Sequence, residues 1–203
     1  MDKEFLQFDT VRNNALKLAF RIYNDGFIPD VIYVSLRGGA YMGNVISEYF
    51  KIMLKGKRPV YYAAVAAHSY TDVAQAGRVR IDGWTYSPEH LRVGDKVLFI
   101  DDIFDSGNTI NCLAQIILDK DIPRHDLKIA VHDYKYFYDK EEQLPIQPDY
   151  WCRKHELSVK DQDNWIHYMS HELVGLTKPE IEEHYYKQDP DLRRVMHVIT
   201  INN

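Results

Sequence analysis

The chain has 203 residues, 45% hydrophobic and 13% aromatic, so one domain with a substantial core is expected and wholesale disorder is not. A formal net charge of -5 weighs against a mainly electrostatic nucleic-acid binder. Two cysteines, Cys112 and Cys152, are too few for a disulfide framework or a thiolate metal cluster and suit a reducing cytosol.

The opening residues, MDKEFLQFD, show no basic stretch followed by an apolar run, so no secretory signal is expected. No apolar run approaches the length of a membrane span. From Thr10 to Tyr23, Val11, Ala15, Leu18, Ala19 and Ile22 recur at helical spacing, with Thr10 as the expected N-cap. VIYVSL at 31–36 reads as a buried strand, and RGGAYMG at 37–43 as a turn into a helix that runs to about Leu54. VYYAAVAA at 60–67 is again strand-like. SYTDVAQAGRVRIDG at 69–83 is polar and glycine-punctuated, and reads as a long mobile loop of the functional kind. VLFI at 97–100 is a third strand, NTINCLAQIILDK a helix, and LKIAVHDY at 127–134 a fourth strand.

Strands alternating with helices predict an α/β fold with a mostly parallel sheet flanked by helices. Ligands of such sheets bind outside the carboxyl ends of the strands, where both the RGG turn and the segment after VLFI fall. The pattern changes after Gln143. Residues 136–203 are therefore expected to form a small hood and C-terminal extension of a single domain, 1–203, with the charged stretch from Lys178 to Lys187 as a helix.

The most informative stretch is VLFIDDIFDSGNTI at 97–110. Gly107, with Ser106, Asn108 and Thr109, can turn the backbone so that its N–H groups face one concavity at a helix start, a good seat for a phosphate. Asp101 and Asp102, one loop-length away, suit sugar hydroxyls or a hydrated Mg²⁺. Phosphate at one end and vicinal hydroxyls in the middle describe a ribose 5-phosphate. Taken alone, the DxxDSG core reads equally as an acidic strand end followed by a helix-capping turn.

The fuller pattern resembles the phosphoribosyl-pyrophosphate (PRPP) signature of the type I phosphoribosyltransferases. That resemblance implies that Asp105, Ser106, Gly107, Asn108 and Thr109 bind the 5-phosphate and that Asp101 and Asp102 bind the ribose hydroxyls. Asp101 and Asp102 would also meet Mg²⁺, directly or through water. Asp105 would handle a proton on the incoming base. The family's pyrophosphate loop is matched by VSLRGGAYMG, with Arg37 and Gly38 as its ligand-facing residues and a cis peptide expected at Leu36–Arg37. Ser69–Tyr70 is similar to the pair that opens the flexible catalytic loop of the 6-oxopurine enzymes. Arg78 and Arg80 would reach pyrophosphate from the same loop or else be solvated charges.

The base-specific end is read farther on. DQDNWI at 161–166 is similar to the purine hood of the xanthine–guanine branch, with Trp165 stacking on the base and Ile166 offering its backbone; both are equally plain core residues. Relatives place a lysine near the end of the fourth strand, where this chain has His132, with Lys135 three residues later. His167 and His171 would share a metal only if helical. The expectation is therefore a cytoplasmic, homo-oligomeric enzyme with PRPP and a nucleobase as substrates, Mg²⁺ as cofactor, and no nucleic-acid or membrane partner. Its base would be hypoxanthine, guanine or xanthine. The alternatives are a phosphoribosyltransferase for orotate or adenine, and a non-catalytic nucleotide-sensing regulator on the same fold.

Overall fold

Strands flanked on both faces need apolar residues at consecutive positions. Val31, Ile32, Tyr33 and Val34, and then Val97, Leu98, Phe99 and Ile100, are all essentially inaccessible to solvent. In the structure, a computed structural model, residues 3–55, 57–69, 79–161 and 165–201 are described. The elements run β1 (Lys3–Leu6), α1 (Phe8–Asn24), β2 (Val31–Leu36), α2 (Gly39–Leu54), β3 (Tyr61–Ser69), β4 (Val79–Trp84), β5 (Val97–Phe104), α3 (Asn108–Leu118) and β6 (Leu127–Phe137). They continue through β7 (Tyr150–Leu157), β8 (Trp165–Tyr168), α4 (Lys178–Ile181) and α5 (Leu192–Ile201).

Six strands form one sheet in the order β4-β3-β2-β5-β6-β7, parallel throughout except for β4, which runs antiparallel to β3. Alternate residues of the central strands serve the two faces. Ile32, Val34, Leu98 and Ile100 pack with Ala15, Leu18 and Ile22 of α1 and Met42, Ile46 and Phe50 of α2. Val31, Tyr33, Val97 and Phe99 pack with Ile110, Leu113 and Ile117 of α3. A second, two-stranded parallel sheet pairs β1 with β8, Lys3 opposite Trp165 and Leu6 opposite Tyr168.

The predicted α/β fold is present, with four local differences. Helix α1 begins at Phe8 on an extended Gln7, not on a Thr10 cap, because β1 ends at Leu6 and the chain turns at once. The last third of the stretch read as a loop, residues 79–83, belongs to strand β4, and residues 70–78 lie outside the described residues. Val79, Ile81 and the adjoining Trp84 pack on the main core, so this part becomes a sheet edge with a register shift at Ala66/Ala67. Strand β5 runs through the carboxylates to Phe104 instead of stopping at Ile100. Within the segment read as hood, residues 150–157 form the outer strand of the main sheet, and strand β8, joined by β1, lies outside it.

Residues 1–170 and 171–203 form two compact units. In the second, Glu180 accepts the Thr177 amide at 2.7 Å, capping α4. The helix expected from Lys178 to Lys187 continues past α4 as a π-helical turn, Glu182–Tyr186. Arg193 of α5 bonds Glu182 at 2.6 Å. Among the described residues no helix is long and apolar enough to cross a membrane.

Candidate active site

The order of the sheet decides where a ligand can enter. From β2 the chain crosses through α2 to β3 on one side, and from β5 it crosses through α3 to β6 on the other. Adjacent β2 and β5 therefore flank the topological switch point, where the two following loops diverge and leave a crevice at the carboxyl ends. The RGG turn follows β2, and the Asp-Ser-Gly turn follows β5.

At the first turn the Leu36–Arg37 peptide is cis, as the resemblance implied, and Arg37 is exposed. Glycine is required here by proximity. A β-carbon on Gly38 would lie 2.3 Å from the Asp102 carboxylate, and one on Gly39 2.5 Å from the Ile100 carbonyl oxygen. The backbone of the first loop thus rests directly on the acidic end of β5. At the second turn Gly107 has φ +78°, and a β-carbon there would strike the Phe104 ring at 2.3 Å and the Leu144 side chain at 2.9 Å. Helix α3 starts at Asn108, its first turn directing amide groups outward beside exposed Asp105 and Ser106. The Asn108 amide is 3.4 Å from Ser106 Oγ, and Thr109 is half-buried on the same turn.

Asn111, which the sequence reading did not single out, braces this turn. Its Nδ2 donates to the carbonyls of Gly107 (3.1 Å) and Ile146 (2.8 Å), and its Oδ1 accepts the Ile146 amide at 3.0 Å. An asparagine in the first turn of a helix is a faint sequence signal, since it is as often a solvent-facing residue.

The two adjacent carboxylates are not equivalent. Asp101 is buried and hydrogen-bonded by Ser35. Burial, and then the neighbouring Asp102 charge, push its pKa well above the usual carboxylate range. Asp102 is half-buried beneath Gly38, and its Oδ1 accepts the Ile103 amide at 2.9 Å.

Strand β6 separates the two residues suggested for the base. His132 is fully buried, with Nδ1 2.7 Å from Asp133 Oδ2 and Nε2 3.1 Å from Asn14 Nδ2. Both ring nitrogens are engaged, a pattern that a neutral imidazole with its proton on Nδ1 satisfies. Lys135, also buried, brings Nζ to 3.3 Å from Asp105 Oδ2. The structure therefore joins Lys135 to the Asp-rich loop and turns His132 inward.

Asp133, passed over in the sequence, is the hub of a buried network. Its Oδ1 meets Arg153 Nε and His155 Nε2, each at 2.7 Å, and its Oδ2 meets His132 and, at 2.5 Å, the Tyr168 hydroxyl. Burial acts to raise its pKa, but the hydrogen bonds from His132, His155 and Arg153 outweigh it and hold the carboxyl well below the usual range. No periodicity in VHDYK distinguishes such a group from a surface aspartate.

Of the remaining candidates, Trp165 is 45% exposed on β8, whereas Ile166 is buried in the small core under β1. Ser69 ends β3; Tyr70 and Arg78 lie outside the described residues. Arg80, on β4, pairs with Asp82 at 2.7 Å. His167 is on a strand, not a helix, so the spacing to His171 that would suit a shared metal is not realised. A groove of about 740 Å³ between α2 and the start of β3, lined by Ser47, Lys51, Arg58 and Tyr62 among others, holds none of the signature residues. Chemistry rather than volume makes the switch point the candidate site.

A family model described as "Phosphoribosyl transferase domain" matches residues 4–161, and the chain belongs to that family. Its fold is the type I phosphoribosyltransferase fold. A search of curated proteins found no match. Among solved structures the chain is similar to a purine phosphoribosyltransferase from Pyrococcus horikoshii Ot3, with 21% identity and a TM-score of 0.63 over 88% of this chain and 100% of the other. It is also similar to a hypothetical protein from Neisseria gonorrhoeae with bound ppGpp (21%, 0.59, over 90% and 93% of the two chains). A third likeness is to the Helicobacter pylori xanthine-guanine-hypoxanthine phosphoribosyltransferase (18%, 0.57, over 82% and 92%). At these identities the likeness is one of fold.

Proposed function

We propose that this protein transfers the phosphoribosyl group of PRPP to a 6-oxopurine base, releasing pyrophosphate. The observation that carries the reading is the seating of the RGG turn on the acidic end of β5 at the switch point, with Gly38 lying on the Asp102 carboxylate and no room for a β-carbon. Such close approach leaves backbone N–H groups, not side chains, to face the anionic substrate.

In this reading the turn from Asp105 to Thr109 holds the 5-phosphate, and Asp102, with Asp101 behind it, orients the ribose hydroxyls. Arg37 and the Gly38 backbone face the pyrophosphate, and Ser69 and Tyr70 open a loop that closes over the site to exclude water. A base nitrogen attacks ribose C1 while the C1–O bond to pyrophosphate breaks, and Asp105 takes the proton that the base gives up. The Lys135 ammonium, beside Asp105, is placed to hydrogen-bond the purine O6. It replaces His132 in that role, since His132 would have to abandon Asn14 or Asp133 to reach a ligand. Trp165 covers the purine face, and the Ile166 backbone meets its edge.

Among the described residues no group of three or more His, Cys, Asp or Glu could hold a metal by itself. The donor set fits Mg²⁺, which takes one or two carboxylates together with waters and substrate phosphates. Asp101 and Asp102 would hold it, and it would neutralise charge on the departing pyrophosphate. The reading extends to a cytoplasmic homo-oligomer that takes small molecules rather than nucleic acid or membranes. The alternative of a non-catalytic nucleotide-sensing regulator is supported by the relative that carries bound ppGpp.

Incubation with PRPP, Mg²⁺ and, separately, hypoxanthine, guanine, xanthine, adenine and orotate, with pyrophosphate measured, tests the proposal. Release with a 6-oxopurine is expected. Release only with adenine or orotate overturns the base assignment, and none with any base overturns the enzyme reading in favour of the regulator.

A further inference from the structure

Two strands of four residues make a marginal sheet that must be fixed to something larger. Strands β1 and β8 are such a sheet, and Trp165 lies at the start of β8. Leu6, Val11, Ile166 and Tyr168 bury one face of it, with Tyr41 of α2 and Ile103 of β5 packed against them. Apolar contact of this kind holds the hood down but specifies its position loosely.

The polar contacts are more specific, and they converge. The Tyr168 hydroxyl, at the end of β8, lies 2.5 Å from Asp133 Oδ2 and 3.0 Å from the carbonyl oxygen of Asp102. Arg153 of β7 joins Asp133 Oδ1 (2.7 Å) to Glu4 Oε1 of β1 (2.5 Å). One buried carboxylate thus ties down both hood strands, β8 through a tyrosine and β1 through an arginine and a glutamate. His132 and His155 hold that carboxylate in place from the same sheet. The Asp102 carbonyl belongs to the residue whose side chain faces the RGG turn, so the tie ends on the acidic strand end itself.

We infer that Asp133, acting through Tyr168 and Arg153, is a positioning residue that sets the distance between the hood and the carboxylate end of β5. Resting on the proposed phosphoribosyl transfer, this means that the latch holds the base at attacking distance from ribose C1 without touching either substrate. A hydrogen bond to a buried carboxylate is strong because it is charge-assisted, and slight misplacement of reacting groups costs much in rate.

Tyr168→Phe tests this while keeping the ring in its buried seat. The KM for the base is expected to rise about tenfold and kcat to fall, with the KM for PRPP changed by no more than about twofold. Equal rises in both KM values, or no change in either, overturn the latch. Hydrogen exchange separates this inference from the activity on which it rests. Amides of residues 3–6 and 165–168 are expected to exchange faster in Tyr168→Phe and in Arg153→Met, while those of β2 and β5 keep wild-type protection. Unaltered exchange at β1 and β8 overturns the latch whether or not the wild-type protein turns over any base.

Discussion

Beside the exposed carboxylate of Asp105 stands an ammonium group that is almost fully buried. Lys135 is 5% accessible, and its amine lies 3.3 Å from Asp105 Oδ2. A buried lysine is costly unless it is paired, so the pairing itself accounts for its place in the structure. In the proposed reaction this pair would offer the base a proton acceptor and a fixed donor side by side. In Asp105→Asn the acceptor is lost while the backbone cup of residues 106–109 is retained. Steady-state kinetics should then show kcat reduced by about 10²- to 10⁴-fold, with the KM for PRPP little changed. Unchanged turnover would remove Asp105 from the mechanism.

Among the elements, α2 carries the first loop at its N-terminus, so the seating of α2 on β2 determines where Gly38 lies. A β-carbon on Gly43, in the second turn of α2, would be 2.1 Å from Val34 Cγ1, and Val34 is itself buried at the centre of the sheet. Two effects compete in Gly43→Ala. Helix propensity would favour alanine by about 1 kcal/mol, whereas overpacking against a side chain that cannot retreat costs about 1–3 kcal/mol. The second should prevail. Urea unfolding is expected to show a lower midpoint at an unchanged slope. A higher midpoint would mean that α2 sits farther from the sheet than this contact requires.

For the whole molecule, two buried carboxylates pull stability in opposite directions as pH changes. The Asp133 carboxyl is held below the ordinary range, so its contribution is present above about pH 4, the unfolded value, and is lost as pH falls through the folded pKa. Asp101 is raised by burial and by Asp102, so its contribution is present below the unfolded value and is lost as pH rises through the folded pKa. The acid limb of the stability curve therefore belongs in part to Asp133, not to Asp101. Urea midpoints between pH 2 and 5 should fall less steeply in Asp133→Asn than in wild type, by up to about one proton's worth of slope. Identical slopes would show that the network around Asp133 does not hold the carboxylate charged.

By itself the sequence determined the parts whose information is local. Runs such as VIYVSL and VLFI can be satisfied only between two covered faces. The glycines and small polar residues after each run can form only tight, backbone-lined turns, which located both loops and the crevice they share. Tertiary structure alone decided the rest, because the information is shared between distant segments. Strand β1 exists only because residues 3–6 meet residues 165–168, and four residues carry too little periodicity to announce a strand. Strand β4 alternates between half-buried and exposed positions at a sheet edge and so reads as loop. His132 and Lys135 look interchangeable as base contacts until Asn14 and Asp133 claim one and Asp105 the other. Asp133 itself gains its meaning from donors on β6, β7 and β8, which no stretch of sequence brings together.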